Sequence, residues 1–485
     1  MPFCGLKSKL RFFGVNSVSS VRRKQKPVLL DTLLEILQDW QVAFPQRRSW
    51  RRAVAQALGS LTAFGRRTLS RAIWAQGHQQ QDWSADYKLH ARACWQPNDL
   101  FQPILQRALP WCRGRYVAIA VDDTRLHKTG RRIQSAFYQR DPLSPKFRFN
   151  LMFGLRFLQM SLLVPLYRQA KASPRGLPVR FEEVPAVKRP PRKAAAELWQ
   201  SYREAVKAQN LSRRAVEALR GLRAALDRAG GKPKRMLAVG DNSFCNRTLF
   251  TSTMERVEVI ARARRDVKLC KHSAPGSRCF YDTNRFTPED VRQDESIAWH
   301  KARVFYGGQW RKIRYKELPE VYWRTGCRRR PLRLFVIAPI PYRVPGRRKK
   351  RYRDPAYLLT TDLQGTAREL LQPYLDRWQI EVNHREEKDT IGVGQAQVRS
   401  PRSVPRQPAF VVAAYSALML AGLLACGPLR DSRYQPLPKW RKNADRPSCL
   451  DLITLLRKEM TENASLLQPF GLNLAWKALG LAAAA

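Results

Sequence analysis

Apolar residues recur at three- and four-residue spacing from Leu29 onward, in LLDTLLEILQDW and again in WRRAVAQALGSL, which predicts helices through about Cys112. After Gly59, AFGRRTLSRAIWAQG reads as a short basic helix that brings Arg66, Arg67 and Arg71 close together. A helix, a turn and a basic helix suit entry into a DNA major groove, and a plain helical bundle with a solvated basic face accounts for the same pattern. Beyond Arg113 the period changes. YVAIAVDD reads as a buried strand that runs into two acids, and KFRFNLMFGLRFLQ and SLLVPLYRQ follow as two further strands of a meander. A Pro-rich stretch from Pro174 to Pro191 then opens two charged helical segments between Arg192 and Arg228, ended by Gly230 and Gly231.

RMLAVGDN predicts another strand ending in an acid. Asn246 is placed to cap a helix through NRTLFTSTME, and VEVIARAR reads as the strand after it. From Asp266 to Asp354 the chain turns to Gly, Pro, Arg and aromatics, with strand-like WHKARVFYG, WRKIRYKEL and LRLFVIAPI. This reads as a β-rich insertion, because AYLLTTDL and a helix through Tyr374 resume the strand-and-helix rhythm. The uncharged run from Ala409 to Gly427 is long enough to cross a bilayer. Its Ala, Gly and Ser content and its closeness to a charged helix favour instead a buried helix packed on a sheet, with no membrane partner. No internal repeat is present. The pattern divides the chain into a basic arm (1–28), a helical unit (29–112), an α/β unit in two parts (113–265 and 355–430), the insertion (266–354) and a helical tail (431–485).

Charge sharpens this outline. The 485 residues carry 89 Lys and Arg against 39 Asp and Glu, a formal charge of +50. Such a surplus repels itself unless it meets a polyanion, and nucleic-acid backbones are the commonest one. With 44% hydrophobic residues the chain can also bury a large core, which excludes a disordered basic tail. Nine cysteines without a CxxC pair point to reduced thiols in a cytoplasmic protein rather than to a disulfide framework. Cys270, His272 and Cys279 are spaced unlike any common zinc site. The acid-free N-terminal segment looks like a transit peptide or a DNA-touching arm, and the overall charge favours the arm.

The candidate chemistry lies where these elements end. Offsets of 3, 7 and 14 from Tyr374 bring Arg377, Glu381 and Lys388 within a stripe of roughly 60° on a continuous helix. One face then carries a carboxylate flanked by a phenol and two cations. Asp122 or Asp123 at one strand end, Asp241 at another and Glu381 make a three-carboxylate set. Such a set can hold two Mg²⁺ ions about 4 Å apart for an in-line displacement at phosphorus. Each aspartate alone is weak evidence, since turns often begin with Asp.

At this point the chain resembles the bacterial cut-and-paste insertion-sequence transposases of the DDE superclass that carry the YREK signature. The spacing Y-x2-R-x3-E-x6-K is met by Tyr374, Arg377, Glu381 and Lys388, and VDDTRLHKTG and VGDNSFCN look like the family's two aspartate motifs. The resemblance runs from about Leu29 to Leu424. It implies a ribonuclease H-like catalytic domain interrupted by a β-rich insertion and preceded by an N-terminal helical DNA-binding domain. It further implies that Asp122, Asp241 and Glu381 ligate Mg²⁺, with Mn²⁺ as a substitute, and that Tyr374, Arg377 and Lys388 hold the phosphates of the element's ends. The family's spacing of Asp, any residue, then Ser or Thr selects Asp122 through Thr124, whereas an Asp-Thr alignment selects Asp123; strand alternation, which turns the neighbouring acid to the other side, favours Asp122. Double-stranded DNA, a homodimer bridging two ends and a nucleoid-associated location in a bacterium follow as expectations. A catalytically silent DNA-binding descendant is the alternative, though a decayed site has no reason to keep all three acids and the cations.

Other residues fit either a structural or a functional role. His384 can assist a metal or bond a backbone carbonyl, and Glu386 and Glu387 can pair with arginines on a solvated face. Trp299, Trp310 and Trp323 can stack on a flipped base or fill the core. The runs Cys327–Arg330 and Arg347–Arg351 can track phosphates or stand as exposed charge.

Overall fold

The computed structural model describes residues 28–142, 144–145, 147–342, 351–441 and 444–474. The basic arm lies outside the described residues except for Val28, as does the Arg347–Arg351 run except for Arg351. Five helices come first: α1 (Val28–Gln38), α2 (Arg47–Thr62), α3 (Leu69–Ala75), α4 (Ser84–Ala91) and α5 (Pro97–Ala108). In α1, Leu29, Leu30, Leu33, Ile36 and Leu37 form the buried stripe that the spacing predicts. The basic helix is shorter than expected. Thr68 caps α3 by accepting a hydrogen bond from the Arg71 N–H, so Arg66 and Arg67 sit in the connection before it.

The chain then builds β1 (Tyr116–His127), β2 (Phe137–Arg140), β3 (Leu151–Val164) and β4 (Arg175–Glu183). The two strands expected after β1 are one continuous strand, β3, and the Pro-rich stretch contains β4. Its Pro178 is tolerated because the pairing with β3 steps between Met160 and Ser161, where a bulge removes the need for a ladder N–H. Helices α6 (Ala196–Ala208) and α7 (Leu211–Leu226) follow, then β5 (Arg235–Gly240), α8 (Arg247–Thr251) and β6 (Val257–Arg262).

Residues 266–354 contribute β7 (Leu269–His272) and β8 (Tyr281–Phe286), which pair with each other, and α9 (Pro288–Gln293). They also contribute β9 (His300–Tyr306), β10 (Gln309–Val321), α10 (Arg324–Cys327), β11 (Leu332–Ile337) and β12 (Pro341–Tyr342). β12 pairs with β13 (Arg351–Tyr352), and β14 (Ala356–Thr360) returns to the centre. The result is a mixed ten-stranded sheet in the order β2-β3-β1-β5-β6-β14-β11-β10-β9, with β4 also on β3. β1, β5 and β6 are parallel, and the outer pairs are antiparallel. The strands expected in an inserted unit therefore extend the same sheet.

Helices α11 (Ala367–Asp376), α12 (Trp378–Arg385), α13 (Ser403–Cys426) and α14 (Cys449–Glu462) complete the fold. The long apolar run is α13. It packs on β4 and against α1, α2 and α5, with Ser416 Oγ donating to the Pro178 carbonyl at 2.7 Å. A helix apolar on all sides needs such cover, and each fully buried Leu, Val or Phe stabilises by about 1.5–3 kcal/mol. The tail folds back as well. Arg457 of α14 donates to the Thr62 and Ala63 carbonyls, and Glu459 accepts from the Leu30 N–H. One apolar core thus runs from Leu29 to Leu474 through the helical and sheet layers.

Candidate active site

Parallel pairing of β1 with β5 stops at Val121 opposite Gly240, so Asp241 follows the end of β5 beside Asp122, which lies within β1. That strand does not stop at the two acids as expected but runs on to His127, paired with β3. Alternation along β1 separates the two neighbouring acids. Ala118 and Ala120 pack beneath Ile380 of α12, and Asp122 shares their face. Asp123 points the other way and is held by Arg156 Nε of β3 at 2.8 Å. Asp241 caps the short turn Asn242–Phe244, its Oδ1 accepting from the Ser243 N–H at 2.8 Å. Gly240 is required just before it, since a Cβ there meets the Phe244 Cβ at 2.6 Å.

Arg377 links this pair to the helix. Its Nη1 lies 3.8 Å from Asp122 Oδ2 and its Nη2 donates to Glu381 Oε1 at 2.9 Å. Burial, reinforced by the Asp241 charge, pushes the Asp122 carboxyl up to about 7, while Arg377 pulls it down. Among the described residues no three His, Cys, Asp or Glu side chains are gathered tightly enough to hold one ion, and Arg377 stands between two of the three carboxylates.

The expected single helical stripe is not continuous. α11 ends at Asp376, Arg377 joins it to α12, and Glu386–Thr390 forms a π turn in which the Ile391 N–H bonds back to the Glu386 carbonyl at 2.9 Å. The wider turn breaks the 3.6-residue phase before Lys388. Three of the four side chains still share one cleft, and Lys388 lies near enough to Asp122 to feel its charge. Tyr374 is raised by burial and feels Arg262, Arg377 and Asp241, and Lys388 is lowered by burial and feels Asp122. Tyr374, Arg377 and Glu381 line a cleft of about 1020 Å³ with Arg262, Tyr306, Arg311 and Arg353.

The same π turn corrects the reading of the following acids. Glu387 is buried, with burial pushing its carboxyl up to about 8, and Glu386 accepts the Tyr415 hydroxyl at 2.6 Å. Neither stands on a solvated face. His384 is pushed down to about 3 by burial, and its Nε2 has no hydrogen-bond partner. Asn383 was not legible as a site residue. Its Nδ2 donates to the Gly176 carbonyl and to Tyr415, which anchors α12 on β4 and the core helix.

Other expectations resolve by contact. Arg67 is an internal strut rather than a DNA-facing residue: its Nη1 donates to the Ser60 and Leu61 carbonyls at 2.8 Å, and burial lowers it to about 10. Arg66 and Arg71 remain exposed. Trp299 lies under Arg314 and Lys316, Trp310 packs on Tyr167 and Phe305, and Trp323 packs on Phe250. None lines the cleft beside Glu381, whereas Trp378 and Tyr306 do. Cys270 is buried and Cys279 exposed, and neither they nor His272 form a metal cluster among the described residues. Arg330 serves the Phe250 and Ser252 carbonyls, and Arg329 lies over Phe280. No protein-family model matches the chain, and no curated protein matches it.

Proposed function

We propose that this protein is a metal-dependent DNA transposase that cuts at the ends of a mobile element and joins the freed 3′-hydroxyls to target DNA. The observation that carries the reading is that Arg377 bridges Asp122 of β1 and Glu381 of α12, with Asp241 beside Asp122 where the parallel pairing of β1 with β5 stops. The order β4-β3-β1-β5-β6, antiparallel on one side of β1 and parallel on the other, supports a ribonuclease H-like core extended by β14, β11, β10 and β9.

The donor set suits Mg²⁺. All three acids are hard oxygen ligands, and burial, reinforced by the Asp241 charge, raises the Asp122 carboxyl despite Arg377, so a cation there would relieve the pair of aspartates. As they stand the three acids are too dispersed to hold one ion, and Asp122, Asp241 and Glu381 would hold the metal once Arg377 is withdrawn from between Asp122 and Glu381. In such sites Mg²⁺ neutralises phosphate charge and makes water or a 3′-hydroxyl a better nucleophile. The chain's own part is positional. Arg377 gives up Glu381 and turns its fork to a phosphate, where it has two donors to offer. Lys388 supplies a second charge at the same phosphate, and Tyr374 a phenol donor. Exposed Arg66 and Arg71 add non-specific backbone contacts.

Incubating the full chain with end-containing DNA and Mg²⁺ tests this reading, with Glu381→Gln as the comparison. Strand cleavage by the wild type and binding without cleavage by the variant is the expected result. Cleavage that persists in the variant overturns the assignment of Glu381. The ion pair that occupies Glu381 favours a second reading, a DNA-binding protein without catalysis, and wild-type binding with no cleavage would assign it.

A further inference from the structure

A second cavity, of about 810 Å³, opens where Cys112–Tyr116, Pro165–Lys171, the first turns of α11 and the β9–β10 strands meet. Arg113, Arg115, Arg168, Lys171, Arg303 and Arg368 line it, all exposed, and among the described residues none of them forms an ion pair with a carboxylate. The two acids in its wall are already engaged. Glu369 closes the cap of α11 with Thr366, and Asp376 accepts from the Tyr167 hydroxyl and Gln372 Nε2. Trp310 stands between two of the guanidiniums, with Arg303 5.3 Å and Arg368 5.2 Å from its ring centroid. Edge contacts to Tyr167 and Phe305 fix the indole, so the two arginines rest on a rigid support.

This cavity and the cleft beside Glu381 are neighbours across one hairpin. Arg303 and Trp310 face the cavity, Tyr306 and Arg311 face the cleft, and Asp376 lies in the wall of both. Positive charge therefore continues from the carboxylates over the tip of the hairpin. Six unneutralised cations held this close repel one another, and a chain of phosphates is the ligand that relieves them at regular spacing. We infer that the cavity is a second phosphate-binding station, which grips the backbone of the same DNA molecule on the far side of the β9–β10 hairpin from Glu381. The inference rests on the DNA-acting reading above.

The test uses the full chain and an Arg303→Ala, Arg368→Ala double variant, with duplexes of two lengths, one confined to the Glu381 cleft and one extending past it. Both arginines are exposed, so thermal melting serves as the control for folding. The expected result is that the variant loses about tenfold in affinity for the long duplex, with a salt slope smaller by about 2, and keeps its affinity for the short one. Equal affinity for the long duplex, or equal loss on both lengths, overturns the inference. Inorganic tripolyphosphate separates this from the fate of the functional reading. If the wild type binds neither duplex, that reading falls, and tripolyphosphate bound by the wild type alone then moves the cavity's ligand from DNA to a free polyphosphate, which overturns the inference as stated.

Discussion

Arg377 Nη2 and Glu381 Oε1 lie 2.9 Å apart, joining the residue between α11 and α12 to the first turn of α12. The pair keeps the cluster of acids compensated before any cation or phosphate arrives. Replacing Arg377 with Ala removes that compensation. The metal-free variant should melt at a lower temperature, recover more of its loss than the wild type gains when Mg²⁺ is added, and show a DNA salt slope smaller by about 1. Melting curves with and without Mg²⁺ and binding measured from low to moderate salt check both parts. An unchanged slope would remove Arg377 from the phosphate contacts.

Asp122 makes stability depend on pH. Its carboxyl titrates at about 7 in the folded chain, against an ordinary value near 3.8. The folded state therefore binds the proton more tightly, and its contribution is fully present below about pH 4 and lost as pH rises to about 7. Asp122→Asn removes this loss. The variant should be more stable than the wild type at pH 8 by at most about 4 kcal/mol, and the difference should vanish at pH 4. Denaturant unfolding at the two pH values reads it, and a difference that does not change with pH would contradict the burial of Asp122 in this site.

The three arginines before and within α3 should separate cleanly. Arg67→Ala leaves the partly buried Ser60 and Leu61 carbonyls without their donor and should cost about 1–3 kcal/mol of stability. Arg66→Ala and Arg71→Ala should leave stability unchanged within about 0.5 kcal/mol and lower the salt slope of DNA binding. Chemical denaturation and anisotropy titration on the same three variants distinguish the roles.

Gly176 admits α12 to the sheet. A Cβ there would stand 2.5 Å from Asn383 Oδ1, two residues beyond Glu381. Gly176→Ala should cost about 1–3 kcal/mol and depress cleavage more than DNA binding, because it shifts the helix that carries Glu381 and spares the exposed cations. Full cleavage activity in this variant would show that α12 tolerates displacement.

Much of the layout was legible because local pattern and tertiary role agree. VGD ends β5 and sets Asp241 beside Asp122, though β1 runs on past VDD to His127, and α13 announces its burial by an unbroken apolar run. Other features depend on partners that no local pattern names. β4 hides behind Pro178 because a bulge against β3 absorbs the missing donor. Arg67 looks like a surface charge until the Ser60 and Leu61 carbonyls turn toward it. The stripe through Tyr374 was drawn on an ideal helix, and neither the break at Arg377 nor the π turn at Glu386 has a signature in residue types alone. The spacing of the signature therefore survives while its geometry differs.

Helix α13 touches β4 on one side and α1, α2 and α5 on the other, with no apolar gap between the helical and sheet layers. The exposed arginines near α3 and the aspartates on and after the parallel strands β1 and β5 are thereby fixed to one frame, as marks are fixed on a ruler. On the proposed function, the number of base pairs between the stretch of DNA that is gripped and the bond that is cut is set by this frame. Moving the cut relative to the recognised sequence would then require rebuilding this shared core.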